Sequence, residues 1–474
     1  MFYLRTEWMT NRLTPALIVI SLLSGSVASQ KQYQRPPVST PDTFRGANTP
    51  PDPKSIGDLK WFEVFKDPQL QKLIETAFVQ NYDLHQAVAR IEIERANLGL
   101  TRSNQFPVIT GSTDITKTRL SNTSGSFPAG VTAPKRTFGE VLLNLLTFEI
   151  DVWGRLRQQT KAARAELRAS EEDRKALLTT VVADVATGYF SLLELDSEMA
   201  IDRETLATRE DSLRLIKIRE QGGVATMLDV RQAEELVYQA SETIPDTERL
   251  IEQTENQISA LIGSNPAPIT RGPALADQQD LPAVPPGLPS SLLERRPDIR
   301  AAEANLEAQH ALVLAARAAY FPRITLTSFL GFQSGSLARL LTGPSGTWNF
   351  VPQLTQPIFA VGLKSNVKFA KAQRELALAQ YQQKIQTSFR DVSDALVQYR
   401  KVKEVRAQQE QLVTTLRDRS RLAHLRYEGG VDTLLNALDA DRDLFNAELS
   451  VTQTKRNELL SLVQLYKALG GGWQ

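Results

Sequence analysis

The sequence predicts a mainly α-helical chain carrying four β-strands in two hairpins, built as two copies of one unit. Three observations predict it. One is self-similarity: with an offset of 215, Asp83-Leu84 aligns with Asp298-Ile299 and Phe106-Pro107 with Phe321-Pro322. Further on, "REQGGVATML" (219–228) aligns with "RYEGGVDTLL" (426–435) at an offset of 207. Such internal repetition marks a duplicated architecture. The second is a pair of long helix-forming tracts, each ending at a Gly-Gly. The third is a pair of places where a helix stops at Phe-Pro and an alternating pattern begins.

The elements follow in order. Residues 1–28 read as an export signal: Arg12, the apolar run "LTPALIVISLL" (13–23), then small residues that allow cleavage after Ala28. Glu7 spoils a basic start, and Met9 gives a tidier one. The 11-residue run is too short to span a bilayer, and no later segment has 18 consecutive apolar residues, so no helical span is expected. An extended segment covers 29–60. The first copy occupies 61–265, a Pro-rich linker 266–287, the second copy 288–470 and a short tail 471–474.

Each copy opens with a helix (about 67–104 and 292–319) and continues into a strand hairpin (about 106–153 and 321–361). A long helical tract follows, from Gly154 to Gly222 and from Gly362 to Gly429. At 1.5 Å per residue each tract would reach about 100 Å. Val181, Val185, Tyr189 and Leu193 form one apolar stripe, as do Val392, Leu396 and Tyr399, and such a stripe must bury itself on another helix. The Gly-Gly pairs can take the left-handed conformation that ends a helix. Thr226 with Asp229, and more weakly Thr433 with Asn436, then cap the return helix. The tips are thus expected at 221–226 and 428–433.

Pro107 and Pro322 cannot continue a helix and push Phe106 and Phe321 toward extended geometry. Beyond them Ile324, Leu326, Ser328, Leu330 and Phe332 share one face. Trp348, Phe350, Leu354 and Ile358 alternate on the returning stretch, where Pro352 and Pro357 suggest bulges. The strands alone fit a soluble sheet or an outer-membrane barrel; the export signal and the lack of a spanning helix favour the barrel. Four strands cannot close one, so chains must share it: eight strands from two, twelve from three. The aromatic joints are then expected near the membrane boundary.

Composition narrows the function. There are 55 Lys plus Arg against 54 Asp plus Glu, and no cysteine. The even charge gives no support to a nucleic-acid partner. The lack of cysteine excludes disulfides, thiolate metal sites and cysteine nucleophiles. His85, His310 and His424 lie far apart and read as surface residues, not as metal ligands. There is no Ser/His/Asp spacing, phosphate-binding glycine loop or metal box, and "GPSG" (343–346) reads as a turn. Neither an enzyme nor a cofactor is expected.

Several stretches carry a family resemblance: "WFEVFKDPQLQKLIETAFVQNYDL" (61–84), "FEIDVWGRLR" (148–157), "LPSSLLERRPDIRAAEANL" (288–306), "AAYFPRITLT" (318–327), "QPIFAVG" (356–362), "RYEGGVDTLLNALDADRDLF" (426–445) and "LYKALGGGW" (465–473). Over nearly the whole mature chain the sequence resembles the TolC superfamily of outer-membrane efflux proteins, specifically the NodT-like lipoproteins of tripartite pumps. The resemblance implies a homotrimer: a twelve-stranded barrel in outer-membrane lipid, joined to a periplasmic α-barrel of coiled-coil helices. It implies a passive duct for drugs, toxic compounds or metal ions. Its partners would be a periplasmic adaptor and an inner-membrane transporter of the resistance-nodulation-division (RND) type. A type I protein secretion duct shares the fold. A structural coiled-coil surface protein is the other alternative, but would not need four strands interrupting its rods.

The resemblance also assigns sites. Adaptor docking falls to the tips: Gly222, Gly223, Val224, Thr226 and Leu228 in copy one, Gly429, Gly430, Val431, Thr433 and Leu434 in copy two. The family's periplasmic aperture falls at Asp432, Leu435 and Asp439, one helical stripe, with Arg426 and Tyr427 holding it shut. Copy one has Ala225, Leu228 and Gln232 at the stripe positions, so the acidic character is not a requirement of the fold. The plainer alternative is a solvated helix face. The family's acylated Cys is replaced by Ser26, which cannot accept the lipid, so a mature N-terminus at Ser29 without lipid is expected.

Overall fold

The structure, a computed structural model, describes residues 33–38, 40–47, 55–119, 135–278 and 287–473; the export signal with Ser26 lies outside them. The order is α1 (Pro68–Gln80), α2 (Tyr82–Ser103), β1 (Ile109–Arg119), β2 (Lys135–Ile150), α3 (Arg155–Gln221) and α4 (Met227–Leu261). The second copy repeats it: α5 (Pro297–Ala318), β3 (Arg323–Ser334), β4 (Gly346–Thr355), α6 (Val361–Glu428) and α7 (Leu434–Ala468). The first helix expected in each copy is in two pieces. Asn81 accepts from the N–H groups of Asp83 and Leu84, at 2.9 and 3.0 Å, and so starts α2 afresh. In copy two, Pro297 separates Leu292–Arg295 from α5, because proline fits only the first turn.

The chain divides into two compact units. One comprises Ile93–Leu167 and Ala304–Ala379 with the described residues before Pro37. It holds a single antiparallel sheet of order β1-β2-β3-β4, so the two copies join through β2 and β3. The register places Ile109, Leu143, Leu330 and Trp348 on one face, followed by Phe350 and Leu354, all exposed. The opposite face is largely polar. On it Asn144 Nδ2 donates to Ser112 Oγ (2.9 Å) and Gln333 Nε2 to Glu140 Oε2 (2.9 Å). Exposed apolar side chains on one face and paired polar ones on the other are the pattern of a strand wall between lipid and water.

Three details depart from the sequence reading. The bulge lies on β2, between Leu145 and Phe148, where one extra residue returns Phe148 and Ile150 to the apolar face. Pro352 sits in β4 opposite Leu326 without a register shift, so the expected bulge is not there. Pro357 and Ile358 lie beyond β4, which ends at Thr355.

At the copy-two joint the Phe321 ring stacks on Trp153 with centroids 4.9 Å apart. Trp153 Nε1 donates to the Pro322 carbonyl at 2.7 Å. The helix-to-strand corner of copy two is thereby fastened to the strand-to-helix corner of copy one. Phe106, at the copy-one joint, is exposed.

The other unit comprises Pro37–Glu92, Arg168–Glu303 and Gln380–Gln474. Its core takes the expected stripes: Val181, Val185, Tyr189 and Leu193, with Val392 and Leu396 and with Leu462 and Tyr466 of α7. Tyr189 is fully buried, and its hydroxyl donates to Asp67 Oδ2 (2.8 Å) while accepting from the Gly272 N–H (2.9 Å). By length and composition α3 is apolar enough to cross a membrane, although no apolar run of that length was read from the sequence. Its most apolar window is 61% buried, and Val181, Val182, Val185 and Leu192 pack into this core. That burial accounts for its composition.

Candidate functional site

The tips of the two helical hairpins, α3–α4 and α6–α7, both belong to the second unit. In each the second glycine, not the first, makes the break: Gly223 has φ +72° and Gly430 φ +74°. The N–H groups of Gly223 and Val224 return to the carbonyls of Glu220 and Arg219, both at 2.8 Å. Gly430 and Val431 likewise return to Tyr427 and Arg426, at 3.0 and 3.1 Å. This is the reciprocal closure that satisfies the orphan carbonyls of a helix end.

The return helices are capped differently. Thr226 Oγ1 accepts from the Asp229 N–H (3.2 Å) and Asp229 Oδ2 from the Thr226 N–H (2.7 Å), the expected box. Thr433 makes no side-chain cap, contrary to the expectation for copy two. Asp432 takes over. Its carboxylate accepts from Arg426 Nε (3.0 Å), from Asn436 Nδ2 (2.6 Å) and from the Thr433 N–H (2.8 Å). These bonds, the Arg426 bond first, hold its pKa below the ordinary aspartate value. Asn436 thus partners Asp432 and not Thr433.

Beneath the tips lies a small core of Ile216, Val230 and Ala233 with Tyr427, Leu434, Ala437 and Leu438. The Arg219 guanidinium lies over the Tyr427 ring, 4.5 Å from its centroid. Leu434 is only 5% exposed, so the structure removes it from the apolar docking set. Val224, Leu228 and Val431 are exposed as expected, and Met227 and Leu435 join them. At the 207-residue offset Leu435 is the counterpart of Leu228, and both are exposed.

Asp432 lies in the turn before α7, outside the helix, so only Leu435 and Asp439, one turn apart, share the expected stripe. Asp439 is not a bare carboxylate: Arg442 Nη1 lies 3.1 Å from its Oδ1, one turn on. The Arg in "DADRD" was the available signal. The surface assignment holds for His85, which is exposed. It fails for His424, which is partly buried and bonded to Asp441 at 2.7 Å. His310 is half-buried, edge-on to the Tyr33 ring. Among the described residues no group of three His, Asp or Glu could hold a metal ion.

The model of the family described as outer membrane efflux protein matches residues 73–264 and 288–471. The chain belongs to that family. The efflux protein is 36% identical over 465 residues to the probable efflux pump outer membrane protein TtgC of Pseudomonas putida, covering 97% of this chain and 95% of that one. It is 35% identical to the outer membrane protein OprJ of Pseudomonas aeruginosa, covering 96% and 95%. Among solved structures it resembles the open state of the MtrE outer membrane channel of Neisseria gonorrhoeae. There the identity is 31% and the TM-score 0.83, covering 94% of this chain and 98% of that one. The efflux protein is thus an outer-membrane efflux channel of TolC-like fold with a large periplasmic helical part.

Proposed function

We propose that three copies of this chain close one twelve-stranded barrel and act as the passive outer-membrane duct of a tripartite pump. The duct exports drugs, solvents or other small toxic compounds. A periplasmic adaptor docks on the exposed tips, Val224, Met227 and Leu228 with Val431, and an RND-type transporter supplies the substrate. The observation that carries this is the sheet: an apolar outer face, with β1 and β4 paired on one side only among the described residues. Such edges cannot face lipid unpaired, so β4 of one chain must meet β1 of the next.

In this reading three copies of Asp432, Leu435 and Asp439 ring the periplasmic aperture. The Arg426–Asp432 pair and the buried Tyr427 hold each hairpin in its closed position. Rings of carboxylate select cations electrostatically. Asp439→Ala should reduce cation selectivity and divalent-cation block in planar bilayers, and Arg426→Ala should raise the resting conductance. Unchanged single-channel current in both variants, in a well-inserted trimer, would place the aperture elsewhere. Native mass spectrometry of the detergent-extracted protein checks the trimer; a monomer or dimer overturns it.

A further inference from the structure

Near the tip, α6 is bonded to α7 through one carboxylate. His424 Nε2 donates to Asp441 Oδ2 at 2.7 Å, and Ser420 Oγ donates to Oδ1 at 2.6 Å. Ser420 and His424 are one turn apart on α6, and Asp441 follows Asp439 by two residues on α7. Both carboxylate oxygens are therefore spent on joining the two helices. From α3, the largely buried Arg209 adds a favourable charge toward Asp441; its Nη1 donates to the Leu236 carbonyl of α4 at 2.9 Å. On α6 itself Glu428 faces His424 electrostatically.

Copy one has the same bond in different chemistry. At the 207-residue offset His424 corresponds to Lys217 and Asp441 to Glu234. Lys217 Nζ lies 3.1 Å from Glu234 Oε1, joining α3 to α4 as His424 joins α6 to α7. Of the two side chains, only an imidazole changes charge near neutral pH by its ordinary chemistry. The hairpin without the acidic stripe thus has a lysine–carboxylate pair, and the hairpin with it an imidazole–carboxylate one.

We propose that Asp441 is the positioning residue of the aperture hairpin and that His424 makes its hold proton-dependent, firm in acidic medium and loosened in alkaline medium. The functional half rests on the reading of that hairpin as the aperture. The direction follows from the bond. The Asp441 hydrogen bond, aided by the Asp441 and Glu428 charges and opposed by burial, raises the His424 pKa above its ordinary value. The docked hairpin therefore binds the proton more tightly than the released one. This stabilisation is complete below the ordinary imidazole pKa and is lost as pH rises through the raised value.

Two substitutions freeze opposite states. His424→Lys installs the copy-one pair, and His424→Gln keeps a neutral donor. Resting conductance in planar bilayers should rise about fivefold in the wild type between about pH 5.5 and pH 8, the low end of ordinary coupling between linked sites. His424→Lys should stay low and flat, His424→Gln high and flat. Ser420→Ala should keep the pH profile on a raised baseline. Hydrogen exchange of the 416–445 segment in the native trimer, corrected for intrinsic rates, should follow the same pattern. A wild-type exchange profile in His424→Lys or His424→Gln overturns the latch. If exchange follows the pattern while conductance stays flat in every variant, the latch stands and the aperture reading fails.

Discussion

Neighbouring residues of one type have opposite fates at the tip. Leu434 lies in the core and Leu435 in solvent, and adjacent helix positions are 100° apart, so only one of them can face the packing helix. Leu434→Ala should therefore destabilise the protein by about 2–5 kcal/mol, as large-to-small core substitutions do. Leu228→Ala or Leu435→Ala should change stability by less than about 0.5 kcal/mol. Thermal unfolding of the detergent-solubilised protein checks both. Drug susceptibility should show the reverse order, with Leu228→Lys impairing efflux in a normally assembled channel. Which leucine faced inward was not legible, because both fit an apolar stripe. The choice is made by Ile216, Val230 and Tyr427, which come from three other segments of the chain. The glycine pairs and the Thr226–Asp229 box were legible because their chemistry is local.

At the scale of elements the same division holds. A Phe-Pro after a helix announces a corner whatever surrounds it, and both corners lie within three residues of a strand start. The bulge in β2 gave no such sign, because its need arises from the partner strand: Phe148 and Ile150 must regain the face that Leu143 and Leu145 share. Deleting Thr147 removes the extra residue, so β2 should straighten with Phe148 two positions after Leu145 and still on the apolar face. The variant should still appear as trimers in the outer membrane; loss of trimers with normal synthesis would show that the bulge itself, and not only the face of Phe148 and Ile150, is needed. The tip glycines tolerate more. A Cβ at Gly430 would meet no atom within 4 Å, so only its positive φ resists substitution. Gly430→Asn should be nearly neutral, since Asn accepts the left-handed region. Gly430→Val should cost about 1–2 kcal/mol, read as a lower midpoint in thermal unfolding.

For the molecule as a whole, barrel closure rather than acylation should hold the protein in the membrane. The intact mass of the membrane-extracted chain should match the sequence from Ser29 without added lipid. A diacylglyceryl increment would contradict the reading of Ser26. The doubling of the chain bears on symmetry as well. In a trimer, six hairpins surround one axis, but only alternate ones carry Asp432, Leu435 and Asp439. A hexamer of a single unit would make every substitution six times, bringing twelve carboxylates together where the trimer brings six. Duplication followed by divergence separates the tasks. On the proposed reading, three hairpins are free to acquire charge, closure and a histidine joint, while three keep the lysine pair and hold the wall of the ring between them. Threefold closure of the hairpins is thereby reconciled with a chain that carries every element twice.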